Sequence, residues 1–417
     1  MARKEALLAY IMLLPAFLFV ISIVLFPVLI NVWMSFKSLT LAQLRSPKPV
    51  IKQKMVQAPR APKQPLIVEL DLRNTNTVYA VDNITLRIKS PAGLRVDPPR
   101  QFIRDAKQTL IRSNWTWAPG FRQKLLLRFF PTSTVTSEQL DIPVMGPLKI
   151  TVTYQKSNSF FSHPFTIQNF YKVITKRDFF FNLWTTFIYS AGGAVGAILL
   201  GLAAAILAKN SLLGQGSFRA LLLFPYVAPI IAATLIWVLL LDPFSGTFNQ
   251  LLIQLGFIKE GIGFLSSESF EISFFGIQFT FPLALTSLIC FDSWRYFPFT
   301  FLFILSRLGA LSPQWYEAAK VDGAGPVQQF FRITLPQLMG VLTTLFILRF
   351  MWTFNKFDDV FLLTGGAVGT KTLPVQVYDY AFGKGNLGAG AAVAMVLFVF
   401  LALFLLLYSY YKPEGEE

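Results

Sequence analysis

The chain has 417 residues, 54% of them hydrophobic, and a mean hydropathy of +0.53. This composition is too apolar for a soluble protein of this size and predicts several membrane spans. A single cysteine, Cys290, excludes an intrachain disulfide. A single histidine, His163, excludes a His-rich metal site and a Ser-His-Asp triad, so we expect no metal site and no catalytic residues in this chain.

The first predicted element is a transmembrane helix within residues 1–36. Residues 7–32 are apolar and contain two kink-forming prolines, and Arg3 and Lys4 favour an N-terminus in the cytoplasm. Residues 37–65 follow as a basic, proline-rich linker. It is predicted to be a solvated tether or a segment that contacts anionic lipid headgroups.

Residues 66–165 are predicted to form an extracytoplasmic β-sandwich. Apolar and polar residues alternate from Leu66 to Arg73, and again around Ile84–Ile88 and Leu148–Tyr154, which is typical of strands with one buried face. Trp115 and Trp117 are candidate core anchors. Between Lys37 and Asp178, 23 Lys and Arg face 8 Asp and Glu, an excess equal to the whole net charge of +15.

Residues 166–417 are predicted to hold five more spans, at about 182–208, 218–241, 279–305, 335–360 and 389–410. Small residues four apart in the first of these, such as Gly192 and Gly196, favour close helix packing in lipid. With six crossings, the loop at 312–336 and the C-terminus lie in the cytoplasm. The basic residues of the short loops agree with this orientation. The fold class is thus a polytopic all-α membrane protein with an inserted all-β domain.

The loop at 312–336 is polar although apolar segments flank it. Pro313 suits the first position of a short helix, Ser312 its cap, and Gly323 its end. Pro326 can open a second helix, and Pro336 restarts or kinks the chain. These features predict a short helix on the membrane surface.

The same loop resembles the EAA loop of ABC-importer permeases, in particular the carbohydrate-uptake (maltose-type) branch. The resemblance is carried by Glu317-Ala318-Ala319, by Asp322-Gly323, and, nine residues later, by Ile333-Thr334-Leu335-Pro336. It implies that the loop docks on a cytoplasmic ATPase and transmits its motion. The coupling residues are then Glu317, Ala318, Ala319, Asp322, Gly323, Leu335 and Pro336. The loop around Asp242 and Asn249 also resembles the family.

Two polar-aromatic stripes lie on the helices that flank this loop. Each follows the spacing i, i+3, i+4, i+7, which places its members on one helix face. They consist of Asp292, Arg295, Tyr296 and Phe299, and of Arg349, Trp352, Thr353 and Lys356. The family resemblance implies that these residues line the solute path. Alternatively, Asp292 pairs with Arg295, and Arg349 and Lys356 pair with Asp358 or Asp359.

No ATP site is predicted. The stretch from Gly365 to Thr372 imitates a phosphate-binding loop, but Thr370 replaces the glycine that precedes its lysine. No cofactor is therefore expected on this chain, and ATP and Mg²⁺ are left to a partner ATPase.

The sequence predicts an inner-membrane subunit of an ATP-driven importer for a sugar or sugar derivative. Its expected partners are a second, different permease subunit, two ATP-binding subunits, an extracytoplasmic solute-binding protein and membrane lipid, with no nucleic acid. The ionic side chains leave open a glycerophosphate, an acidic sugar or an amino acid as the solute. A third alternative is a membrane anchor for an external binding domain.

Overall fold

The computed structural model describes residues 2–41, 48–57, 64–76, 79–90, 94–105, 109–131, 148–155, 165–209, 215–274 and 277–411. The chain divides into two compact units. One comprises Lys37–Thr166 with Gly385–Gly388, and the other comprises Met1–Phe36, Ile167–Lys384 and Ala389–Glu417.

The first unit is built from two four-stranded antiparallel sheets. Their strand orders are β1-β2-β7-β4 and β5-β6-β3-β8. Inward-facing residues of both sheets belong to one hydrophobic core. The strands are β1 Pro49–Gln57, β2 Leu66–Asn74, β3 Val81–Lys89, β4 Leu94–Val96, β5 Ile103–Arg104, β6 Thr109–Trp117, β7 Arg122–Pro131 and β8 Ile150–Gln155.

The alternation in the sequence corresponds to the inward and outward faces of these strands. Every second residue of β2, from Leu66 to Leu72, is buried, and Ile84, Leu86 and Ile88 of β3 are buried too. Trp115 and Trp117 lie in the core with their rings edge to face, 5.3 Å between centroids. This burial of the apolar face is what stabilises such a sheet pair.

The prediction of a tether is wrong over Pro49–Gln57, which forms β1 and pairs along β2. Lys52 and Lys54 lie opposite Asp71 and Glu69, so cross-strand charge favours the pairing. The prolines do not prevent it, because Pro49 is the first residue of the strand and the others lie outside it.

Among its described residues, the second unit contains helices and one hairpin, formed by β9 Phe270–Phe274 and β10 Ile277–Phe281. Its early helices are α1 Ala2–Phe19, α2 Phe26–Ser35, α3 Gln168–Ile174, α4 Arg177–Lys209, α5 Gln215–Val227, α6 Ile230–Leu240 and α7 Thr247–Gln254. The later helices are α8 Leu283–Gly309, α9 Pro313–Val321, α10 Pro326–Gln329, α11 Leu335–Phe354, α12 Asp358–Thr364, α13 Leu373–Tyr378 and α14 Leu387–Tyr411. A π-helical turn, Val20–Leu25, joins α1 to α2, and another, Phe330–Thr334, joins α10 to α11.

Within the described residues, five helical segments are long and apolar enough to cross a membrane. They are Met12–Ser35, Arg177–Lys209, Leu283–Gly309, Pro326–Phe354 and Leu387–Tyr410. The expected third helix is instead two helices, α5 and α6, bent by 92°. Pro229 separates them, because it lacks the N–H that a continuous helix needs. Counted as one span, the bent pair would give six.

Four predicted helix limits are wrong. The second apolar helix begins at Arg177 and not at 182. The fourth apolar helix begins at Leu283 and not at 279, because Phe279 belongs to β10. The fifth begins at Pro326 through the π-helical turn, so Pro336 lies within a continuous span. It ends at Phe354 rather than near 360, and α12 forms a separate helix.

Candidate functional site

The coupling loop, residues 312–336, contains the exposed helix α9. No residue of α9 is buried, and the Val321 side chain at its end is 88% exposed. Glu317, Ala318 and Asp322 are exposed, and Ala319 is half-buried. The loop therefore offers a free helical surface on which another protein can dock.

Gly323 ends α9 in a Schellman motif. Its φ of +80° is in the left-handed region, which glycine adopts without a steric penalty. The N–H of Ala324 donates to the carbonyl of Ala319 at 2.8 Å, and the N–H of Gly323 donates to Lys320 at 3.1 Å. The spacing between Ala319 and Gly323 thus sets where the helix stops. Ser312 is at the N-cap, but its side chain makes no capping hydrogen bond.

Two side-chain contacts join α9 to its surroundings. The Tyr316 hydroxyl hydrogen-bonds the Thr334 hydroxyl at 2.9 Å, just before Leu335 and Pro336 open α11. The Lys209 ammonium, at the end of α4, lies 4.5 Å from the centroid of the Tyr316 ring. Through Tyr316, α9 is thus linked to the turn that precedes α11 and to the end of α4.

A buried ion pair links the two helices that flank the coupling loop. Arg349 of α11 donates to Asp292 of α8 at 2.7 Å, and their side chains are 1% and 0% exposed. The same guanidinium donates to Thr353 at 3.0 Å. The alternative pairings of Asp292 with Arg295, and of Arg349 with Asp358 or Asp359, are therefore wrong. Asp292 forms its ion pair with a residue of another helix, so the pair holds α8 and α11 together at Asp292 and Arg349.

Lys356 forms a second ion pair, 3.0 Å from Asp359 of α12. Asp359 is fully buried, whereas Asp358 next to it is half-exposed. Of the two partners considered for Lys356, the structure therefore selects Asp359. The prediction that Lys356 shares a helix face with Arg349 is wrong, because α11 ends at Phe354 and Lys356 lies in the turn after it. This pair therefore joins the end of α11 to the start of α12.

The Tyr296 ring is surrounded by cations. The Arg349 guanidinium and the Lys356 ammonium lie 4.0 and 3.8 Å from its centroid, and Arg295 lies at 5.7 Å. The electron-rich ring face stabilises cations at such distances. The structure thus brings both polar-aromatic stripes together around one aromatic ring.

Aromatic rings from α5, α8 and α11 contact one another next to these cations. Phe299 lies 5.2 Å from Trp352 and 6.3 Å from Tyr226 between ring centroids, and Tyr226 lies 6.0 Å from Tyr296. Trp352 is 49% exposed and Tyr226 is 44% exposed. We call Tyr226, Tyr296, Phe299 and Trp352 the aromatic face. Such a surface, beside a few fixed polar groups, has the composition of a small-molecule site.

Close packing of α4 on α8 positions Asp292. A Cβ on Gly193 would lie 2.4 Å from the Asp292 carboxylate, and one on Gly201 would lie 2.1 Å from the Thr300 hydroxyl. Thr300 donates to the Ala197 carbonyl at 2.6 Å. The small residues of α4 therefore act in helix packing, as the sequence indicated.

One residue of the aromatic face was missed from the sequence. Tyr226 lies just before the bend between α5 and α6. Pro225 and Pro229 on either side of Tyr226 were the available signal, because two prolines in an apolar segment indicate a broken helix.

The loop after α6 is organised by Asp242 and Asn249. Asp242 accepts hydrogen bonds from the backbone N–H groups of Phe244 and Ser245 and from the Ser245 hydroxyl, which lower the pKa of this carboxyl. The Asn249 side chain donates to the carbonyls of Asp242 and Ile262, each at 3.0 Å. These bonds fix the turn that precedes the hairpin.

We call Asp292, Arg295, Tyr296, Arg349, Lys356 and Asp359 the charged cluster. Residues 197–414, which contain both the coupling loop and the charged cluster, match the family of binding-protein-dependent transport system inner membrane components. The chain belongs to this family.

Two relatives in the family illustrate its range. The chain is 29% identical over 260 residues to the trehalose/maltose transport system permease protein MalF of Thermococcus litoralis, covering 61% of this chain and 82% of the relative. It is 30% identical over 292 residues to the sulfoquinovosyl glycerol transport system permease protein SmoG of Agrobacterium fabrum, covering 67% of this chain and 87% of that one.

A solved structure shares the fold. It is a bacterial ABC transporter involved in the import of the acidic polysaccharide alginate, with a TM-score of 0.51 and 17% identity. The alignment covers 61% of this chain and 87% of that chain. Family and fold together define the chain as a multi-pass permease subunit of an ABC importer.

Proposed function

We propose that this chain is the permease subunit that moves a sugar or sugar derivative into the cytoplasm by alternating access. The observation that carries the proposal is the exposed, Schellman-ended helix α9, placed between α8 and α11 within the family region. Relatives named for maltose, trehalose and sulfoquinovosyl glycerol transport support a sugar as the solute class.

The coupling mechanism follows from the contacts of the coupling loop. The ATPase subunits bind α9 through Glu317, Ala318 and Asp322. When the two ATPase subunits close on each other, the coupling loop moves with them. The Tyr316–Thr334 bond passes that motion to α11, and the Asp292–Arg349 pair makes α8 move with it. A solute held between these helices is then exposed to alternate sides of the membrane.

The proposed assembly extends this scheme. A second permease subunit, two ATP-binding subunits using ATP and Mg²⁺, and an extracytoplasmic solute-binding protein complete the importer. Six crossings put both termini and the coupling loop in the cytoplasm, and the two-sheet unit outside. A solved relative, the alginate ABC transporter, is in complex with an alginate-bound periplasmic protein, which supports a binding-protein partner.

The test is ATP-dependent uptake by the complete complex in proteoliposomes, with the binding protein and a labelled sugar panel supplied outside. We expect uptake that requires internal ATP and that Glu317→Lys abolishes. Unchanged uptake in the Glu317→Lys variant would reject the coupling role of α9.

A further inference from the structure

Arg295 of α8 has no acidic partner among the described residues. In the part of the chain that the structure describes, Asp292 pairs with Arg349 and Asp359 pairs with Lys356, while Arg295 takes part in no ion pair. Two carboxylates thus neutralise two of the three cations around Tyr296. The cluster retains one positive charge at Arg295, a residue that is only 7% exposed.

The Arg295 guanidinium also has unused donors. Its Nη2 donates to the Ala228 carbonyl at 3.1 Å, at the bend between α5 and α6. Its Nε and Nη1 are buried and have no hydrogen-bond partner among the described residues. A guanidinium offers five N–H donors in a planar fork that fits a carboxylate or a phosphate. The bond to Ala228 fixes the plane of this fork and leaves one edge unused.

A buried, unpaired cation is unfavourable, because it has lost its hydration without gaining a counter-charge. An anionic group that entered the cluster would supply that charge and the missing acceptors together. Arg349 and Lys356 are less suited to this role, since an anion would have to displace carboxylates that already bind them.

We propose that Arg295 recognises a negatively charged group on the transported solute: a carboxylate, sulfonate or phosphate carried by a sugar. The aromatic face, whose Tyr296 ring lies 5.7 Å from the Arg295 guanidinium, contacts the sugar ring while the guanidinium binds the anion. This inference rests on the proposed function and narrows its substrate class to acidic sugars.

The experiment measures charge selectivity in proteoliposomes that contain the whole complex and its binding protein. The probes are neutral and anionic counterparts supplied together: glucosyl glycerol with sulfoquinovosyl glycerol, maltose with maltobionate, and a mannose with a mannuronate trisaccharide. Mass spectrometry of the lumen gives the anionic-to-neutral uptake ratio for each pair. We expect the anionic member of at least one pair to enter in an ATP-dependent manner and to be preferred.

Arg295→Gln is expected to lower the anionic-to-neutral ratio at least about tenfold, as the loss of a charge-assisted hydrogen bond predicts. Arg295→Lys, which keeps the charge but not the fork, should retain part of the preference. Arg219→Gln is the matched control, because Arg219 likewise donates to a backbone carbonyl, that of Ala208, and has a buried Nε without a partner among the described residues. It should leave the ratio unchanged.

Two results would overturn the inference while the import function stands. One is wild-type uptake of neutral members only, and the other is an anionic preference that survives Arg295→Gln. If Arg295→Gln does not assemble, the test is the comparison of wild type with Arg295→Lys. A lower anionic-to-neutral ratio in Arg295→Lys supports the inference, and an unchanged ratio contradicts it. ATP-dependent uptake of no member of the panel by the wild type would reject the sugar-import function itself, and the inference with it.

Discussion

The coupling loop connects α8 to α11, the two helices that carry most of the buried charged cluster, yet the loop and the cluster are held in shape by different kinds of contact. The loop owes its shape to contacts within a few residues, such as the bonds that end α9 at Gly323. The cluster owes its shape to contacts between distant residues, since Asp292 and Arg349 are 57 positions apart. Local contacts therefore shape an exposed helix, and long-range contacts shape a buried cluster of charges.

This difference decides which substitutions affect folding and which affect coupling. Residues in the cluster are shielded from water and depend on one another, so their loss should destabilise the protein. Residues on the surface of α9 contact little within the chain, so their loss should leave the fold intact and act on the partner.

The largest effect is expected from breaking the Asp292–Arg349 pair. Asp292→Asn leaves the Arg349 charge buried without a counter-ion, which should cost about 3–5 kcal/mol of stability. Thermal unfolding of the detergent-solubilised protein measures the loss. The double variant Asp292→Asn with Arg349→Met removes both charges and should be less destabilised than the sum of the two single variants. Additive losses would show that the pair is not coupled.

A smaller loss is expected from Gly193→Ala on α4. The new Cβ would lie 2.4 Å from the Asp292 carboxylate, so the pair with Arg349 must shift. Overpacking of this kind costs about 1–3 kcal/mol. The control is Gly309→Ala, since a Cβ at Gly309 meets no atom within 4 Å. Equal melting temperatures for the two variants would argue against close packing of α4 on Asp292.

At the end of α9, Gly323→Ala should have a modest effect on folding and a clear one on coupling. The space around Gly323 is open, so the penalty comes from its φ of +80° alone and amounts to about 1–2 kcal/mol for a residue with a side chain. We expect the ratio of solute moved to ATP hydrolysed to fall.

Gly325→Ala is the matched control for Gly323→Ala. Gly325 has equally open surroundings, but its φ is −71°, which alanine adopts readily. If both variants lowered coupling equally, the left-handed turn at Gly323 would not be the cause.

The smallest effect on stability is expected for Glu317→Lys. Glu317 is exposed on α9, so the free energy of unfolding should change by no more than about 0.5 kcal/mol. Melting curves of wild type and variant should therefore overlap. A large destabilisation would mean that Glu317 stabilises the fold, and it would contradict the claim that surface residues of α9 contribute little to stability.

The same contrast explains what the sequence could predict. The spacing of Ala319, Gly323 and Ala324 encodes a helix end that forms from backbone bonds within six residues, so sequence reasoning found the loop and its position. The alternation of apolar and polar residues in β2 and β3 likewise predicted strands with one buried face. It could do so because successive side chains of any strand point to opposite faces of the sheet.

The sequence did not predict which distant residues pair with each other. Helical spacing placed Asp292, Arg295 and Tyr296 on one face, but it could not show that Asp292 turns to Arg349 rather than to Arg295. That choice depends on how α8 packs on α11. The pairing of β1 with β2 was missed because the prolines around it suggested an extended tether. Local preference was overridden by cross-strand contacts.

The most direct test of the account is whether this chain holds an ATPase through α9. The complex would be recovered from membranes by a tag on this chain, and the bound ATPase subunits and their ATP hydrolysis would be measured for wild type and Glu317→Lys. We predict that the wild type retains ATPase subunits and that Glu317→Lys loses most of them while its melting curve is unchanged. Full retention of ATPase and activity by Glu317→Lys, or no ATPase on the wild-type chain, would contradict the account.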